Sequence, residues 1–126
     1  MAIAASLIAC LSHANTEGPP PGFGQAGTWI VPCQLLDRQL KGETLTNTTE
    51  VRLAAFCEGA FAGIMAVNYA SPPYLPFCEH DDDRLIDYVE TFLAVMKANP
   101  SFATKQFGFV VLVALGRAHP KPECGG

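Results

Sequence analysis

Positive charge is scarce in this chain. Eight Lys and Arg stand against twelve Asp and Glu in 126 residues, a net charge of −4. No basic cluster exists to neutralise phosphates, which argues against a nucleic-acid binder. Long hydrophobic runs are missing too, and no apolar stretch reaches the roughly 20 residues that span a bilayer. The chain lacks a calcium loop, because the acidic run Glu79 to Asp83 has neither the regularly spaced oxygens nor the glycine. No Ser or Cys has a persuasive base beside it, so the chain is read as a non-enzyme with no cofactor. There is no internal repeat.

What remains is one small domain. A domain of this size buries a core but stays marginal, so covalent staples matter. The first fourteen residues, MAIAASLIACLSHA, read as a secretory signal: Ala2 to Leu11 is apolar and Ser12-His13-Ala14 ends it in the A-x-A manner. No Lys or Arg precedes Arg38, so the charged start of such a signal is missing, and a frayed apolar tail or first helix is the other reading. Leu7 to Cys10 also has the form of a lipoprotein box. Residues 15–31, rich in proline and glycine, read as a flexible leader, and residues 32–126 as the folded domain.

The longest patterned stretch is Asn47 to Ala70. Leu53, Phe56, Cys57, Ala60, Ile64 and Val67 recur at helical spacing, while Ala55, Gly59, Ala62, Gly63, Ala66 and Ala70 form a row of small residues. That combination predicts a central helix packed on two sides, capped by Asn47 with Glu50 three residues on, and ended by Pro72-Pro73. A shorter helix precedes it, with Pro32 at its first position, Leu35, Leu36 and Leu40 as its stripe and Gly42 as its stop. A third follows Asp81 to Asp83, whose carboxylates suit a helix start, and carries Leu85, Ile86, Val89, Phe92, Leu93 and Met96 up to Asn99-Pro100. The last, capped by Ser101 or Asn99, runs to about Arg117 with Phe102, Phe107, Val110, Val111 and Leu115; a buried strand over Phe107 to Leu115 is the alternative but would lack a partner. The expected fold is all-α, four helices with antiparallel neighbours.

Four cysteines remain once Cys10 leaves with the signal, an even count that suits two disulfides in an exported domain. Antiparallel hairpins join residues equally distant from a turn. Cys33 and Cys57 each lie twelve residues from Leu45, and Cys78 and Cys124 each lie twenty-three from Ser101. The expected pairs are therefore Cys33–Cys57 and Cys78–Cys124. Two cysteines with His80 and His119 could instead hold zinc, but the spacing fits no common zinc pattern. Glu79, His80, Asp81 and Asp82 are the candidate partner-binding residues, set beside a staple and rich in carboxylate. Capping of the next helix is their plainer use.

Phe56-Cys57-Glu58-Gly59-Ala60-Phe61-Ala62-Gly63 resembles the cysteine-led "C-x-G-aromatic-x-x-G" opening of one family's main helix. Phe77-Cys78, Tyr88 to Phe92 followed by Ala98-Asn99-Pro100, the apolar last helix and a late Pro-x-Cys complete an order similar to the Tai/Rap immunity proteins of type VI secretion amidase effectors. The resemblance runs from about Pro32 to Cys124. It implies a helical, disulfide-bonded periplasmic protein that binds a peptidoglycan-cleaving amidase and blocks its groove, often as a homodimer. Ala60-Phe61 replaces the usual tyrosine after the first glycine, and Glu79-His80 replaces the usual proline after the middle cysteine. Two other classes stay open: an acid-stress periplasmic chaperone, and an envelope-associated helical domain without a toxin partner.

Overall fold

The structure is a computed structural model that describes residues 24–70, 77 and 83–120, with backbone alone for 68–70. Within them lie four α-helices and no strand: α1 (Ile30–Leu40), α2 (Thr48–Ala70), α3 (Leu85–Ala98) and α4 (Phe107–Ala118). Two short 3-10 turns, Ala26–Trp29 and Pro100–Thr104, precede α1 and α4. The expected signal, Cys10, Cys78, Cys124 and Glu79 to Asp82 lie outside the described residues.

Local chemistry sets the helix ends. The first helix starts two residues before the expected Pro32, which is the third residue of α1, where no intrahelical acceptor awaits its missing N–H. At the other end Gly42 adopts φ 97°, its N–H donates to Gln39 O at 3.0 Å, and Glu43 N–H donates to Arg38 O at 3.1 Å. This pair of bonds around a left-handed glycine is the Schellman stop. Asn47 caps α2 as expected, its Oδ1 accepting from the N–H groups of Thr49 (2.8 Å) and Glu50 (3.3 Å). Arg84, not one of the aspartates, occupies the cap of α3, and Asp87 Oδ2 accepts its backbone N–H at 2.9 Å. Asn99 closes α3 through a side-chain bond to Val95 O at 2.9 Å, with Pro100 after it.

The disulfide Cys33–Cys57 joins α1 to α2, and both residues are fully buried. It also fixes how α2 is turned. Ala54 and Phe61, three before and four after Cys57, share its face and have no exposed surface. The expected core face was centred further round the helix, and here it is corrected: Phe56 is 49% and Val67 57% exposed. The small-residue row is corrected too. Ala55, Gly59, Ala62, Gly63 and Ala66 face solvent, and a Cβ added at Gly59 or Gly63 would meet nothing within 4 Å. Because α2 is apolar nearly all round, periodicity alone did not choose its buried side; the disulfide does.

Phe107, at the start of α4, is the hub of the core. Its ring stacks on Trp29 with centroids 4.5 Å apart and meets Phe92 and Phe61 edge-on at 5.2 and 6.0 Å. One residue thereby touches the first 3-10 turn, α2 and α3. Behind it α4 buries Val110, Val111, Ala114 and Leu115, a helical stripe. The folded chain begins earlier than the boundary expected at Pro32. Ala26 N–H donates to Lys105 O at 2.7 Å, and Phe107 N–H donates to Gly24 O at 2.8 Å. At Gly27 a Cβ would lie about 3.0 Å from Ala103, so glycine favours this close approach of the two 3-10 turns. The last segment is also two pieces rather than one helix, since Lys105 and Gln106 are extended to pair with this entering chain. Lys41 adds a polar tie between α1 and α3, bonding Asp37 at 2.7 Å and Glu90 at 2.9 Å.

Two experiments follow from this architecture. Replacing both Cys33 and Cys57 by Ala should lower unfolding free energy by about 3–4 kcal/mol in the chain-entropy account, read from urea denaturation; an unchanged midpoint contradicts the staple. Gly42→Ala should destabilise by about 1–2 kcal/mol because of its left-handed backbone, whereas Gly63→Ala should stabilise by about 0.5–1 kcal/mol through helix propensity alone. A destabilised Gly63→Ala monomer would show that the row is packed after all.

Candidate functional site

Three places merit attention, and the first is the end of the molecule that flanks the acidic stretch. Phe77 is buried, 3% exposed, and pairs in an antiparallel bridge with Pro120 just after α4. On the far side of the stretch, Asp83 Oδ2 accepts the Tyr88 hydroxyl at 3.0 Å and lies 3.7 Å from His119 Nδ1. The imidazole of His119 meets the Tyr88 ring edge-on at 5.6 Å. Both flanks of residues 78–82 are thus fastened to the start of α3 and the end of α4. Glu79, His80, Asp81 and Asp82 themselves lie outside the described residues, as do Cys78 and Cys124. Among the described residues no three His, Cys, Asp or Glu side chains gather as a metal site. His119 stands beside Asp83 and Tyr88.

The second place is a groove between α2 and α4, about 280 Å³ in volume and walled by Ala60, Gly63, Ile64, Val67, Gly108 and Leu112. Its lining carries no charged residue, and glycines on both walls leave it open. Phe56, Ala60, Gly63 and Val67 recur along α2 at steps of four, three and four, the spacing of a helix–helix seam. Phe109, 55% exposed, stands on α4 next to Gly108. A row of this kind on the outside of a small domain marks an interaction surface more often than a random apolar residue does. Of the expected core stripe, Phe56 and Val67 stand here in solvent, while Ala60 is partly buried against the core.

The third place is a mixed cleft between α1 and the start of α2, lined by Val31, Gln34, Leu35, Asp37, Arg38, Glu50 and Leu53. Asp37 Oδ1 is shielded from solvent there without a hydrogen-bond partner, while Oδ2 bonds Lys41. Arg38 grips Glu43 with two guanidinium contacts, one of them 2.7 Å from Nε to Oε2. That hydrogen-bonded pair holds the Glu43 carboxyl below its ordinary range and raises Arg38. Arg38 and Asp37 thus meet opposite charges, Glu43 and Lys41, that lie outside the lining of the cleft.

The titration of Asp87 reports on the first place. Its carboxyl is held below the usual carboxylate value chiefly by the backbone N–H of Arg84, helped by the Arg84 guanidinium and by His119. A carboxyl depressed in the folded state stabilises above its unfolded pKa and loses that contribution as pH falls through the folded value. Asp87→Ala should therefore melt below wild type at pH 7, and the gap should close as pH drops from about 4 toward 2. A gap independent of pH would contradict an ionised cap.

No family model matches the chain, and no curated protein or solved structure is similar to it at a significant level.

Proposed function

We propose that this protein works by binding: an exported immunity protein of the Tai/Rap type that occupies the active-site groove of a peptidoglycan amidase effector of the type VI secretion system. The observation that carries a binding role is the apolar groove between α2 and α4, continued along α2 by Phe56 and Val67 standing in solvent. The nature of the partner comes from the resemblance. Its residues occupy framework positions: Cys57 is stapled, Phe77, Tyr88 and Phe92 are buried, and Asn99-Pro100 ends α3.

In this reading the chain is periplasmic, loses residues 1–14, and carries a second disulfide, Cys78–Cys124. The Phe77–Pro120 bridge supports that pair by bringing the chain near each cysteine together. The inhibitory contact is the stretch Glu79, His80, Asp81 and Asp82, whose carboxylates meet basic or amide groups in the amidase groove. The α2–α4 face then serves a second copy in a homodimer, as its seam spacing suits. A chaperone reading draws on the same exposed apolar face. It requires more apolar surface at low pH, measurable as dye binding that rises on acidification.

The test has two arms, run on the exported protein and on amidases encoded beside it. Replacing Glu79, Asp81 and Asp82 by Ala should weaken amidase binding and cell protection while the circular dichroism melt stays that of a folded helical protein. Val67→Asp should convert a dimer to a monomer in light scattering. A wild-type protein that binds and inhibits no neighbouring amidase, or that itself hydrolyses peptidoglycan, overturns the immunity reading. Non-reducing peptide mapping that finds Cys78 and Cys124 free in exported protein removes the second staple.

A further inference from the structure

We draw no further inference here: the strongest candidate, the apolar groove between α2 and α4 walled by Ala60, Gly63, Ile64, Val67, Gly108 and Leu112, belongs to the binding surface already described, and nothing in the structure shows which molecule covers it.

Discussion

The disulfide between Cys33 and Cys57 does more than close a loop. It ties an eleven-residue helix to a twenty-three-residue one at a point inside the first half of the longer partner. A link between two buried side chains leaves α2 little freedom to rotate about its axis, and rotation is what decides which of its two apolar stripes is covered. With Cys57 facing α1, Ala54 and Phe61 are carried into the core and Phe56 and Val67 are carried out of it. The open face of the molecule is a direct consequence of where the sulfur sits.

The rest of the core is built on what that rotation delivers. Phe61 is placed where it can meet Phe92 at 6.3 Å and Phe107 at 6.0 Å, and Phe107 in turn receives Trp29. Four aromatic rings from four elements meet there, so α4 and the entering chain are held through Phe107. Beyond Phe61 the cover over α2 thins: Ile64 and Met65 are partly buried, whereas Ala62, Gly63, Ala66 and Val67 are exposed. Burial of apolar surface is the main favourable term in folding. A helix left half bare is therefore one whose remaining surface is available to another molecule, and this links the staple to the binding role we propose.

Much of the fold was legible in the sequence. The four helices, the Gly42 stop, the Asn47 cap and the Asn99-Pro100 break all rest on local chemistry, which acts within a turn or two. The pairing of Cys33 with Cys57 was legible from hairpin symmetry, because two helices joined by a short turn must run back along each other. The azimuth of α2 was not, since Phe56 and Phe61 are equally hydrophobic and only contacts with distant elements, the Cys33 link to α1 and the rings of Phe92 and Phe107, distinguish them. Reading outward from Cys57 to its neighbours at i−3 and i+4 would have found Ala54 and Phe61. The 3-10 turn at Pro100–Thr104 and the extended Lys105-Gln106 were also hidden, because they answer to residues 24–26 far away in the chain. Of the candidate site only the flanks are described: Phe77 and Asp83 are anchored at the end of α4 and on α3, and the carboxylates between them lie outside the described residues.

The central claim is that α2 is anchored by its first half and open along its second. Native-state hydrogen exchange on the free protein tests it directly, because amides buried behind the staple should open only with global unfolding. The account predicts that amides from Ala54 to Phe61 exchange at the global unfolding rate and that those from Gly63 to Val67 exchange markedly faster. Uniform, global-level protection along the whole of α2 in a protein shown to be monomeric would contradict it.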